Sequence, residues 1–298
     1  MADISRAEVA SLIAEEYAPQ MIATAVAAST ALSLFPRVNM GTKITHMPVL
    51  ATLPEAGWVT ETTAKPTSEA TWKDQTLVAE EIAVIIPVHE NVLDDASVAL
   101  LDEISALGGQ AIGKKLDQAV LFDIDKPASW TSPALIESAT PDGLFPVVEG
   151  AANVDDLFGA ITQAAGYVAD NGGDPSSLVL RNALRWQLAN LRDADGRIAF
   201  SEQSLSGFNT IFNKNGAWDS ALALAFVVDP SLGRIGVRQD ITVKFLDQAT
   251  VGGINLAERD MVALRLKARF AYVLADAISS DGQPIEPVAA VTPAPVVP

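Results

Sequence analysis

The 298-residue chain is nearly half apolar and carries 37 acidic against 20 basic residues, for a formal net charge of -17. That is enough length and apolar content for one large domain or two ordinary ones, and the negative charge repels phosphate backbones and anionic lipid, disfavouring a DNA-binding or membrane-surface role. The absence of cysteine excludes disulfides, thiolate nucleophiles and thiolate-ligated metals together.

The opening MADISRAEVA has neither the basic nor the apolar region of a signal peptide. The apolar run from Met21 to Phe35 is broken by Thr24, Ser29, Thr30 and Ser33 and is too short to span a bilayer, so a soluble cytoplasmic product is expected. Residues 5 to 33 read as a helical arm, with Val9, Leu12, Ile13, Ile22, Val26 and Leu32 at helical spacing and Pro19 interrupting them. Strand composition follows in TKITHMPVLA (42 to 51) and EEIAVIIPVHENV (80 to 92). Between them lies the polar stretch WVTETTAKPTSEATW (58 to 72). Trp58 and Trp72 each stand seven residues from Lys65, so a hairpin tipped at AKPTS would set the two indoles opposite each other as a small apolar clasp. A hairpin with so little beneath it is expected to lie on another surface.

The clearest helix comes next. Asp94 or Asp95 serves as N-cap, and Leu100, Ile104, Leu107, Ala111, Leu116, Ala119 and Val120 form its apolar stripe until Pro127 stops it, a span of roughly 45 Å. Gly108, Gly109 and Gly113 in its middle mark a bend or a close packing contact. From 128 to 253 the pattern is mixed α/β. A helix from Val154 to Asp170 presents Leu157, Ile161, Ala165 and Val168 and ends at Gly172 and Gly173. SLVL (177 to 180) is a strand, NALRWQLANLRD a helix and ALALAFVVDP a buried strand. In MVALRLKARFAYVL (261 to 274) Val262, Leu264, Leu266, Ala268 and Phe270 face one way and Arg265, Lys267 and Arg269 the other. The tail GQPIEPVAAVTPAPVVP is proline-rich and expected to be extended and mobile. No internal repeat is present.

No catalytic, cofactor or metal site emerges. His46 and His89 fall inside strands without a nucleophile or ligand cluster and read as partly buried structural residues. DADGR (193 to 197) lacks the third ligand and closing glutamate of a calcium loop and reads as a polar turn. Glu80-Glu81, Asp94-Asp95 and Asp155-Asp156 need no catalytic role, since the latter two pairs sit at helix starts where carboxylates suit the macrodipole. Phosphate-loop, dinucleotide and nucleophile-elbow motifs are missing. The basic face Arg265, Lys267, Arg269 is either a solvated edge or an intersubunit contact with acidic surface on a neighbour.

The run GWVTETTAKPTSEATWKDQTLVAEEIAVIIPVHENVLDDA resembles the tailed-bacteriophage major capsid protein family with the Hong Kong 97 fold: an extended E-loop with an E-x-x-x-K-P-x-S tip, a returning strand, and LDDA opening a long spine helix. LVLRNALRWQLANLRDADGRIAF is similar to that family's axial-domain strand, helix and D-x-x-G turn, and AERDMVALRLKARFAYVLADAI to its closing peripheral strand. The resemblance implies an α+β chain divided into an N-terminal arm (1–42), E-loop and spine helix (43–127), axial domain (128–240), closing peripheral strands (241–280) and a flexible tail (281–298). It implies a non-enzymatic protein, made in the host cytoplasm, that assembles with itself as hexamers and pentamers into the icosahedral shell of a virion. That shell encloses double-stranded DNA without sequence-specific binding and has no membrane partner. Trp58, Glu61, Lys65, Pro66 and Trp72 on the E-loop, with Arg265, Lys267 and Arg269 on the peripheral strand, become the expected intersubunit contacts. Some members join the E-loop lysine covalently to a neighbour's asparagine with a glutamate as base. Here Lys65 matches, but Asp260 and Lys267 stand near the asparagine and glutamate places, so no autocatalytic crosslink is expected. A chain that begins at Met1 and reaches its arm at once points to a separate scaffolding protein, beside portal and decoration partners. An encapsulin-like compartment shell and an acidic cytoplasmic enzyme are the competing readings.

Overall fold

The computed structural model describes residues 29–59, 64, 65, 67–90, 99–139, 143–147, 155–189 and 207–293. The arm up to residue 28, the caps Asp94 and Asp95, the turn 193–197, and Glu61 and Pro66 lie outside the described residues.

In chain order come a short helix Thr30–Leu34, β1 (Arg37–Asn39), β2 (Ile44–Thr52), β3 (Thr71–Val78), β4 (Glu80–His89) and a long helix Ala99–Phe122. A helical turn Leu135–Ser138, β5 (Leu144–Pro146), the helix Asp155–Asp170, β6 (Ser177–Arg181), the helix Asn182–Ala189, β7 (Asn209–Asn213) and β8 (Ala225–Val228) follow. The chain continues through β9 (Gly233–Leu246), β10 (Thr250–Val251), β11 (Ile254–Asn255), β12 (Met261–Leu274) and β13 (Val288–Thr292). These strands form a four-stranded sheet ordered β1-β9-β12-β4, a five-stranded sheet ordered β5-β13-β8-β6-β7, and two ribbons, β2-β3 and β10-β11.

The long helix unites the two large sheets. Its Ile112, Leu116, Ala119, Val120 and Phe122 share one core with Leu264, Leu266 and Phe270 of β12 and with Val179, Phe226, Val228 and Ala290 of the five-stranded sheet. The opposite face of that second sheet, with Leu178, Leu180, Val227 and Val291, is covered by Leu157, Ile161, Ala164 and Val168 of the helix Asp155–Asp170. A sheet buried on both faces explains the continuous apolar runs of its strands. The helix stripe expected from the sequence holds at Leu116, Ala119 and Val120, whereas Leu107 is 54% exposed. Gly108 instead faces β12, where a Cβ would overlap the Leu266 side chain. The glycine thus serves close packing. The helix stops at Phe122, where Asp123 (φ 61) and Asp125 (φ 53) turn left-handed.

Two expectations are corrected. The tail is not mobile over residues 288–292: β13 lies between β5, in parallel, and β8, antiparallel, and Val288, Ala289, Ala290 and Val291 are completely buried. Small side chains fit the narrow space between two covering layers, and the prolines at 284 and 287 precede the strand, where a missing N–H costs nothing. Nor is β12 an edge, since β9 and β4 pair with it along its length.

Two glycines of β9 receive the chain that enters the four-stranded sheet. A Cβ on Gly233 would overlap the Phe35 ring, and one on Gly236 the Met40 thioether. Phe35 continues into Tyr272, with ring centroids 6.0 Å apart. Gly233→Ala is therefore expected to expel Phe35 and cost about 3 kcal/mol in urea unfolding. Gly41→Ala, where nothing lies within 4 Å of a Cβ, should cost far less, and equal losses would contradict this packing.

Candidate functional site

The β2-β3 ribbon is antiparallel from Ile44↔Val78 to Leu50↔Trp72, with a bulge before Thr52↔Thr71. Its last pair, Thr52↔Thr71, leaves residues 53–70 outside the ladder. Trp72 consequently faces Leu50, and the expected indole clasp does not form. Trp58 is fully exposed and Trp72 is 66% exposed. Lys65 is exposed. The flanks of the turn are held by Ser68, whose Oγ accepts from the Glu55 N–H at 2.7 Å.

Among the described residues the ribbon's buried packing lies at its base. Leu77 is buried with Met40, Ala79, Ala271 and Val273, Lys73 pairs with Asp276, and the Asp276 N–H donates to Gln75 Oε1 at 3.3 Å. His46 Nδ1 lies 2.5 Å from Asp74 Oδ2. Both histidines, expected to be partly buried, are exposed, because the faces of β2 and β4 that carry them pack against nothing in the described chain.

The basic side chains of β12 project from the face of the four-stranded sheet opposite the core. Glu81 on β4 takes two of them: Lys267 Nζ at 2.6 Å and Arg269 Nη2 at 3.1 Å. The Lys267 hydrogen bond chiefly, with that from Arg269, holds the Glu81 carboxyl below its ordinary value against a smaller opposing effect of desolvation. A depressed carboxyl contributes stability above its ordinary value and loses it as pH falls through the folded value. Glu81→Gln should accordingly lower the urea midpoint at neutral pH and converge on the wild type in acid. A difference that persists undiminished at low pH would refute the pairing.

A polar centre that sequence reading missed lies under the short helix Thr30–Leu34. Asp117, fully buried in the long helix, accepts from Ser29 Oγ (2.7 Å), the Thr30 N–H (2.8 Å) and the Ala31 N–H (2.9 Å). It also accepts from Asn215 Nδ2 (2.7 Å) and Asn213 Nδ2 (3.3 Å). Burial pushes its carboxyl up, opposed by these bonds. One side chain thus ties the chain near residue 30, the long helix and the end of β7 together.

Among the described residues no cluster of His, Asp or Glu suits a metal ion, and no helix is long and apolar enough to cross a membrane. The site material is instead an unsupported ribbon and an open basic sheet face, both suited to contact with another chain.

Comparison with known proteins agrees. The model of the phage capsid family matches residues 10–279. A chain from Mycobacterium phage Adephagia is 59% identical, with all of both chains covered and a TM-score of 0.83. One from Microbacterium phage Oxtober96 is 40% identical over 89% of this chain and 91% of that one, with a TM-score of 0.79. The capsid of an empty GTA particle, 16% identical over 90% of each chain, has a TM-score of 0.65 and shares the fold. No curated protein matches. The family match over most of the length, with relatives this similar from end to end, makes the chain a structural virion protein and a member of the phage capsid family.

Proposed function

We propose that this chain is the major capsid protein that assembles as hexamers and pentamers into the icosahedral head enclosing double-stranded phage DNA. The observation that carries the reading is the β2-β3 ribbon, which among the described residues has its buried packing around Leu77 and leads to an exposed Trp58. Such a ribbon gains its missing core from a second subunit. In this reading the ribbon is the E-loop, the helix Ala99–Phe122 is the spine helix, and the five-stranded sheet is the axial domain to which β13 returns. Residues 1–42 would form the arm, 43–127 and 241–280 the peripheral domain, and 128–240 the rest of the axial domain.

Trp58, Glu61, Lys65, Pro66 and Trp72 would lie on the neighbouring subunit, with Arg265, Lys267 and Arg269 contributing the peripheral contact. The acidic chain would line a container from which DNA is released easily. Assembly would take place in the host cytoplasm with a separate scaffolding protein, a portal and decoration proteins. With Asp260 and Lys267 near the asparagine and glutamate places, no autocatalytic Lys65 crosslink would form: denaturing gels of particles should show single subunits, and covalent ladders would contradict this. The test of the whole reading is negative-stain microscopy of the protein expressed with and without its scaffolding partner. Closed shells are expected with the partner, and a compact monomer under every condition would overturn the assignment.

A further inference from the structure

We infer that Arg265 and Lys244 together receive a carboxylate presented by a second copy of this chain. The inference rests on the shell reading and narrows its basic contact to a pair that the β12 sequence does not reveal. Arg265 stands directly between Ile85 of β4 and Lys244 of β9. Like charges directly opposite each other on one sheet face are destabilising unless something neutralises them.

Nothing in the described chain does so. Glu81, which reaches this face from β4, is committed to Lys267 and Arg269. Among the described residues neither Arg265 nor Lys244 has an ion-pair partner. The Nε of Arg265 is buried without a hydrogen-bond acceptor, a position whose desolvation is uncompensated in the lone subunit. With its Nε–H shielded, Arg265 offers the two Nη groups, and these, with a lysine beside them and Ile85 40% exposed on the flank, fit an incoming carboxylate taken bidentately.

The charge of the chain selects the source. With 37 acids to 20 bases, the surface of another copy is predominantly acidic, whereas the same net charge opposes a nucleic-acid phosphate.

Two experiments test this. Arg265→Met with Lys244→Met removes both charges and keeps chain length. The unassembled subunit should unfold at an unchanged or higher urea concentration, because an unneutralised like-charge pair has gone. Particle yield by sedimentation should fall roughly ten-fold. In the second, wild-type subunits grown in ordinary and ¹⁵N medium are mixed, assembled and treated with a water-soluble carbodiimide. The reagent condenses the Lys244 amine with a carboxylate in contact and releases the oxygen as urea by-product. Lys244 peptides joined to acidic peptides of the other isotope, in particles and not in free subunits, are expected.

If the wild type assembles and the double variant assembles equally well, the inference fails while the shell reading stands. Crosslinks confined to one copy, or Lys244 shielded only when DNA is packaged, also overturn it. A wild type that never assembles removes both.

Discussion

A chain ended at Pro287 is expected to lose its five-stranded sheet and to be recovered unfolded or insoluble. β13 is that sheet's second strand, and β5 has no other sheet partner. Without it Val288, Ala289, Ala290 and Val291 leave cores on both faces at once. The backbone bonds from Leu224 N–H to Val291 O (2.7 Å) and from Ala290 N–H to Gly143 O (2.8 Å) go too. Apolar burial and hydrogen bonds together amount to roughly 8 kcal/mol, comparable with the whole stability of a domain. Ala290→Asp, which places a charge where exposure is zero, should be nearly as damaging through a single side chain. Near-UV circular dichroism and urea unfolding decide the matter. A truncated chain that stays soluble and unfolds cooperatively at the wild-type midpoint would show that β13 is dispensable.

That strand was hidden in the sequence for a physical reason. VAAVT has neither alternation nor bulk, and its proline-rich surroundings read as an extended tail, because nothing local reports that two layers close over it. Where one face of an element meets solvent the pattern was legible: Leu264 to Phe270 alternate as expected, though Ala263 before them is buried, and Leu116, Ala119 and Val120 are buried. Legibility fails beyond Phe270, where Ala271, Tyr272, Val273 and Leu274 are all buried and the period vanishes with the exposed face.

The tryptophan symmetry about Lys65 misled for a different reason. Ribbon register follows from the pairing of β2 with β3 and from the bulge before Thr52, not from the spacing of residues about a proline. The basic strand was read correctly as charged, but its partners were not visible. Glu81 and Lys244 approach Lys267 and Arg265 only through the order of strands β9-β12-β4.

Asp117 is the least legible residue of all, since a lone aspartate between Leu116 and Gln118 of a long helix reads as solvent-facing. Its donors lie 86 to 98 residues away along the chain. It replaces the usual solvation of the first N–H groups of the helix Thr30–Leu34, which a five-residue helix needs for its existence. Asp117→Ala is expected to destabilise the chain by about 4 kcal/mol, because it leaves two buried backbone N–H groups and the Ser29 hydroxyl without their acceptor and removes one bond each from Asn213 and Asn215. Asp117→Asn keeps the shape and one oxygen but turns an amide N–H₂ toward donors, so about half that loss is expected.

Hydrogen exchange separates this from generic core damage. The amides of Thr30 and Ala31 should lose protection in Asp117→Asn under native conditions, while those of β12, which do not touch the carboxylate, keep theirs. Because the same carboxylate reaches Asn213 at the end of β7, the loss should extend to the β6-β7 pairing at Arg181↔Asn213. Uniform loss across β12 and β7 alike would mean that Asp117 only fills space. Selective loss at residues 30, 31 and 213 would make it the joint that fixes the entering chain and the five-stranded sheet to the long helix.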